Sequence, residues 1–341
     1  MKKTIYFLFI LIPLFCMSCK NEVTKPDSEI AVTAIVLSYS SLDMEIGSQL
    51  HLTATVIPND ATNQSFEWFF SDPNIVTMDL NGLVTALNFG KTIISVKTED
   101  GGFTSECEIY VANNIADFTY LIHEETNTVE ITGYLGSSNS LFIPRIIEDK
   151  PVNILGVNSF HNMSLTNVYI PEGISLIEEG AFSSNLFTIL ILPNSIRRIE
   201  ASAFSNNMLT ELSFGEGVIF IGRYSFEWNQ LSCVVFPNSV TSIGTYAFSN
   251  NLLTEVEFGN GLARILWGSF MNNNISSVDL PHSLVSILSS VFAGNPMTRI
   301  SIGDGVEMRN PIVTGNFNEI YGGVGGIFTR SSPENEEWER Q

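Results

Sequence analysis

The side chains able to do chemistry are few and poorly spaced for it. The four histidines, His51, His123, His161 and His282, share no metal-ligand spacing. His123-Glu124-Glu125-Thr126 lacks the second histidine, one helical turn on, that a zinc motif needs. Gly322-Gly323-Val324-Gly325-Gly326 is glycine-rich, but no Lys-Ser/Thr follows and no helix opens there, so it makes no phosphate cradle. No Ser-His-Asp or Cys-His arrangement follows from spacing. Glu257 and Asp279, 22 residues apart, form the one carboxylate pair with a reason to be neighbours. At one strand spacing they could act as a glycosidase dyad or hold Ca²⁺. A solvated acidic face partly neutralised by Arg299 is the favoured reading, because nothing else builds a pocket around them. The expectation is a non-enzymatic protein with no cofactor and no metal; an enzyme is the third option.

The elements that must position these groups are read from composition and period. The chain has 341 residues, 44% of them apolar, with 36 acids against 16 bases and a formal net charge of −20. Nucleic acid and anionic membrane surfaces are bound mainly through Lys and Arg, so both are excluded as partners. Only four Cys accompany 24 Phe, so this is no disulfide scaffold. Low charge with abundant Asn, Ser and Thr predicts an all-β-dominated fold.

An internal repeat dominates residues 155–310. Phe160, Phe182, Phe204, Phe226, Phe248, Phe270 and Phe292 recur every 22 residues. Registered to Phe182, the sites of Leu165, Val168, Ile170, Ile174 and Ile177 stay apolar through the five following coils. A last coil begins at Met297 and fails at Arg309. A second column, Asn185, Asn207, Asn229, Asn251, Asn273 and Asn295, lies three residues after each Phe and suits backbone hydrogen bonding at a tight bend. The turn after the strand alternates between Pro193-Asn-Ser or Pro237-Asn-Ser and Gly215-Glu-Gly or Gly259-Asn-Gly, which suggests an ancestral unit of 44 residues.

Alternation within the strands points Val168 and Ile170 inward. The outward columns are then Asn167, Ile189, Glu211, Cys233, Glu255, Ser277, Arg299 and Tyr169, Ile191, Ser213, Val235, Glu257, Asp279, Ser301. Solenoids bind on such faces. The candidate partner-binding residues are Tyr169, Ile189, Ile191, Glu211, Val235, Glu255, Glu257, Asp279 and Arg299. The apolar early half is a partner signal, or a surface that a neighbouring domain covers. Trp228, Trp267, Tyr224 and Tyr246 fall near the coil corners, where they either pack or stack on sugars.

The N-terminal residues read as an address. Lys2 and Lys3 precede an uncharged stretch from Thr4 to Ser18 whose apolar heart, Ile5 to Phe15, is too short to span a membrane. Ser18-Cys19 resembles the lipobox of bacterial lipoproteins, with Cys16 where Leu is usual. That resemblance implies a signal peptide over 1–18, lipidation at Cys19, and a polar tether over 19–29.

Residues 30–112 alternate as strands, predicted at Ala34–Leu37, Gln49–Ile57, Ser65–Phe70, Leu83–Ala86, Thr92–Lys97 and Ser105–Val111, between turns such as Pro58-Asn59-Asp60 and Asp100-Gly101-Gly102. Leu52-Thr53-Ala54-Thr55-Val56, Trp68 and Asn81-Gly82-Leu83-Val84-Thr85-Ala86 resemble the bacterial Ig-like domain of group 2. The resemblance implies a β-sandwich spacer with Trp68 in its core; Cys107, alone in the domain, reads as a small buried hydrophobe.

Leu231–Asn251, LSCVVFPNSVTSIGTYAFSNN, is similar to the BspA-like leucine-rich repeats. The resemblance implies a capped β-solenoid of 22-residue coils over 115–310, each coil adding one parallel strand to a continuous sheet. Residues 311–341 then make a C-terminal cap, with Tyr321 to Arg330 and Trp338 as a closing hairpin, and an acidic tail, Glu334 to Gln341, that reads as mobile. It also implies an exported lipoprotein on the outer-membrane cell surface, adhering to host matrix proteins, host cells or other bacteria. The membrane is touched only through the lipid. The alternative is a glycan-binding component of a surface polysaccharide-uptake system, which requires solvent-facing Trp228 and Trp267.

Overall fold

The computed structural model describes residues 29–341 apart from Leu80, Asn310 and Asn316. Cys19, the expected signal and the expected tether as far as residue 28 lie outside the described residues. The fold is nearly all β.

The first strands form a sandwich. One sheet orders Ser41–Glu45, Thr104–Ala112, Gly90–Thr98 and Phe66–Phe70; a second orders Gln49–His51, Leu83–Ala86 and Val76–Met78; Ala34–Leu37 pairs with Ala54–Ile57. Ser41–Glu45 and Val76–Met78 were not predicted. The first hides two apolar residues among acids, and the second is three residues long, so neither carries enough alternation to be seen. Trp68 is only partly buried, yet it packs against both apolar clusters of the domain and so joins them. Cys107 is fully buried, and burial pushes its thiol up to about 11.

The solenoid makes about eight turns. All six apolar sites of the six regular coils lie in one core, where only Val168, Leu212, Phe214, Val256 and Phe258 keep partial exposure. The Phe column is a stack of near-parallel rings, with centroids 4.8 Å apart at Phe160–Phe182 and 5.8 Å at Phe270–Phe292. Each ladder Asn closes its bend as its position suggests. Asn229 donates to the carbonyls of Phe204 (3.0 Å) and Phe226 (3.1 Å) and accepts from the Leu209 amide (3.0 Å).

The continuous sheet is not the one expected. The unbroken parallel ladder runs through two-residue strands such as Leu176–Ile177, Arg198–Ile199 and Phe220–Ile221. The column of Asn167–Tyr169 and its repeats breaks into pairs: Ile189–Ile191 with Glu211–Ser213, then Cys233–Val235 with Glu255–Glu257. The pairing follows the alternation of turns. Asn194 Oδ1 of a Pro-Asn-Ser turn accepts from Glu216 N (2.9 Å) in the next coil, while Ser195 Oγ donates to Ile174 O (2.7 Å) in the previous one. The structural unit is therefore two coils.

Caps close both ends. Phe118–His123 and Thr128–Tyr134 form an antiparallel lead-in. At the far end the short helix Phe317–Tyr321 and the strand Gly326–Thr329 bring Phe317, Tyr321, Phe328 and Trp338 into the core. Trp338 joins the cap as expected, and the acidic end that reads as mobile is built in with it. Trp338 is buried, its indole donates to Thr314 O (3.1 Å), and Glu339–Arg340 pairs with Gly326–Thr329. One aromatic anchor outweighs the acidic composition around it.

Candidate functional site

The two domains meet in a built junction. Arg145, on the turn after the first coil strand, donates through Nε to Asp43 (2.6 Å) and through Nη2 to Ser41 (3.1 Å) in the sandwich. Its guanidinium lies 5.0 Å above the Tyr110 ring and 3.6 Å from Glu108. The buried Tyr110 hydroxyl donates to Ile143 O (2.7 Å), and burial with the nearby Tyr169 raises its pKa well above the ordinary phenol value. Asn113 bonds in both directions: its backbone N–H donates to Phe142 O (3.0 Å) and its Oδ1 accepts from Phe142 N (2.7 Å).

The sandwich sits on the first part of the outward face. Phe89, Phe142 and Tyr169 stack in succession, with centroids 5.3 and 5.7 Å apart. Tyr169 also leans on Tyr110 at 5.4 Å. It is therefore part of the junction as well as of the candidate surface. Beyond it Ile189, Ile191 and Val235 stay 50%, 67% and 57% exposed. Lys91 from the sandwich, Tyr169, Glu172, Ile189, Ile191 and Pro193 line a cleft of about 490 Å³, a volume in the range of ligand sites. Lys91 pairs with Glu108, and that hydrogen bond raises the ammonium pKa.

Further along, Glu211 faces a shallow depression shared with Ile189, Ile191 and Cys233. Glu255, Glu257 and Asp279 line a polar groove of about 620 Å³. Arg299 binds Asp279 at 2.7 Å, as expected of a partly neutralised acidic face. Among the described residues no three His, Cys, Asp or Glu side chains are grouped to hold a metal ion. The structure thus brings the expected residues into two neighbouring patches, an apolar cleft against the sandwich and an acidic groove.

Lys91, Phe89, Phe142 and Arg145 escaped the sequence reading. Phe142 lies outside the 22-residue register because of an insertion. Its signal was Phe142-Ile143-Pro144, the counterpart of Tyr169-Ile170-Pro171. Lys91 and Arg145 reach their partners across the domain boundary, and no local spacing marks such contacts.

Two family models match the chain. The BspA type leucine rich repeat region matches in six copies over residues 138–251 and 219–312, and the bacterial Ig-like domain (group 2) matches residues 31–109. An uncharacterized protein of Clostridium acetobutylicum is 32% identical over 115 residues, 33% of this chain and 12% of its own. The kappa-carrageenase of Pseudoalteromonas carrageenovora is 34% identical over 86 residues, 25% of this chain and 22% of its own. The chain therefore spans only a small part of these relatives. Among solved structures, a leucine rich cell surface protein from Faecalibacterium prausnitzii aligns over 54% of this chain and 52% of its own, with 22% identity and a TM-score of 0.41. From residue 138 to residue 312 the repeat model accounts for half of the sequence, and the chain belongs to the BspA-type leucine-rich repeat family, with a group 2 bacterial Ig-like domain ahead of its repeats.

Proposed function

We propose that this protein is a non-enzymatic adhesion protein of the cell surface that binds a protein partner through the outward face of its repeats. Proteins of this family are generally surface-exposed or secreted and generally act by binding. The observation that carries the reading is the exposure of Ile189 and Ile191 at a cleft that the Ig-like domain walls with Lys91, with Val235 exposed on the same outward column two coils on. Exposed apolar side chains grouped on a solenoid face are a partner signal. Glu211, Glu255 and Glu257 extend the surface with negative charge, which suits a partner carrying basic side chains beside an apolar anchor. Export rests on the basic n-region and apolar stretch, and lipid anchoring at Cys19 on Ser18-Cys19; the outer-membrane surface is part of the same proposal.

The test is a binding screen at physiological salt against immobilised matrix proteins, comparing the parent with the Ile189→Ser/Ile191→Ser variant. Tyr169 is left alone because it also holds the junction. Matrix binding that the variant loses supports the reading; binding that it keeps, or none in the parent, refutes it. Labelling of intact cells with a membrane-impermeant reagent tests the surface location separately.

A further inference from the structure

Each coil turns a corner around its core Phe. The residues two before and two after that Phe hold a left-handed backbone in every coil. Most coils fill these sites with Gly or Asn, which accept positive φ most readily, or with the small Ser. Three positions do not: Tyr224 (φ 57°), Trp228 (φ 55°) and Tyr246 (φ 56°). Bulky aromatics in this region are outliers, and backbone strain of this kind concentrates where a protein binds.

The rings form a surface. Tyr224 stacks on Tyr246 at 5.4 Å and 12°, and Trp267 of the next coil stands across Tyr246 at 4.9 Å and 88°. Gly268 leaves its own corner site without a side chain, and the Tyr246 ring leans into that space. Trp228 and Trp267 are 56% and 40% exposed, so both indoles present surface to solvent. Hydrogen-bonding groups adjoin the rings. Glu227 Oε1 accepts from Ser249 Oγ (2.9 Å) and from Asn250 Nδ2 (3.3 Å), and Asn272 Nδ2 donates to Asn250 Oδ1 (3.0 Å).

We propose that this corner is a second binding site, separate from the sheet face, and that it takes a neutral polysaccharide. Sugar rings present C–H faces that stack on aromatic rings, and hydroxyls that pair with carboxylates and amides; three adjacent coils offer both in one strip. Trp267 and Tyr246 cradle one sugar and Trp228 a second, while Glu227, Asn250 and Asn272 take the hydroxyls. The formal net charge of −20 disfavours a polyanion.

The test is native gel electrophoresis of the full protein through gels containing galactomannan, xylan or hydroxyethyl cellulose, with polygalacturonate as the charged probe. At least one neutral polymer should retard the parent, and polygalacturonate should not. Trp228→Ala/Trp267→Ala should weaken binding about tenfold or more. Tyr224→Asn/Tyr246→Asn keeps a residue that suits the left-handed backbone, so it should lose binding while its Tm is unchanged or raised. A purely structural role predicts a lower Tm instead. The Ile189→Ser/Ile191→Ser variant should bind glycan normally, which separates this site from the sheet face. No retardation by any neutral polymer, retardation by polygalacturonate alone, or aromatic variants that bind like the parent would overturn the proposal.

Discussion

Gly215 lies directly over Pro193 of the preceding coil, so closely that a Cβ on Gly215 would stand 2.2 Å from the Pro193 carbonyl oxygen. Gly259 repeats the relationship on Pro237 at 2.4 Å. In these two units the Gly turn is therefore a steric requirement of the Pro turn before it, whereas Gly303, which follows Pro281, has no such contact. Gly215→Ala should destabilise the solenoid by about 2–3 kcal/mol, since backbone must move to admit the methyl. Gly303→Ala is the control: its nearest neighbour would be His282 Nδ1 at 3.9 Å, and the change should stay within about 0.5 kcal/mol. Urea denaturation of the two variants checks the contrast.

Asn229 bridges three buried backbone groups in two coils. Asn229→Ala leaves them without partners in a site closed to water, at about 1 kcal/mol or more each. A loss of about 3 kcal/mol or more is expected by denaturant titration. A loss under about 1 kcal/mol would mean that the Asn ladder is not what closes the bends.

Arg145 concentrates the polar contacts of the junction: Asp43, Ser41, Glu108 and the Tyr110 ring. Arg145→Gln should loosen the Ig-like domain without unfolding either part, because each has its own apolar core. Small-angle scattering should show a larger radius of gyration, and limited proteolysis should cut faster near Asn113. Scattering identical to the parent would place the rigidity elsewhere, in the Phe89–Phe142–Tyr169 stack.

Glu178 has its pKa raised by partial burial, then by Glu130 and Glu200. A carboxyl raised above its unfolded value resists ionisation in the folded state. Its penalty is present at neutral pH and disappears as pH falls through the folded pKa and then the ordinary 4.5. Glu178→Gln should raise stability at pH 7 by less than about 1 kcal/mol, given partial exposure, and leave it unchanged near pH 4. Thermal melts at both pH values test the sign.

The two cysteines among the described residues should differ sharply in reactivity. Cys233 is exposed, whereas Cys107 is buried with its thiol pushed up to about 11. Burial both shields the Cys107 thiol and disfavours its thiolate, which is the reactive form. Iodoacetamide followed by peptide mapping should modify Cys233 and spare Cys107 until the Ig-like domain unfolds.

Much of this molecule is legible in its residues. The Phe and Asn columns, the Pro/Gly alternation and the outward positions all follow from a 22-residue period, because each coil meets its neighbour at the same offset and a contact between coils becomes a spacing in the chain. Several strands of the Ig-like domain were equally plain, Ala34–Leu37 and Leu83–Ala86 to the residue. What the tertiary structure decided lies where that translation fails. It chose Leu176–Ile177 and its repeats, not Asn167–Tyr169, for the continuous ladder, because turn geometry governs which strands close to hydrogen-bonding distance. It set the Ig-like domain on Phe142 and Tyr169 through Arg145 and Asp43, residues about a hundred positions apart with no period between them. It paired Glu339–Arg340 with Gly326–Thr329 in a tail whose composition reads as solvated. It also stood Trp267 across Tyr246, which spacing alone leaves ambiguous between packing and exposure. Period records contacts that recur; contacts made once are settled only when the chain is folded.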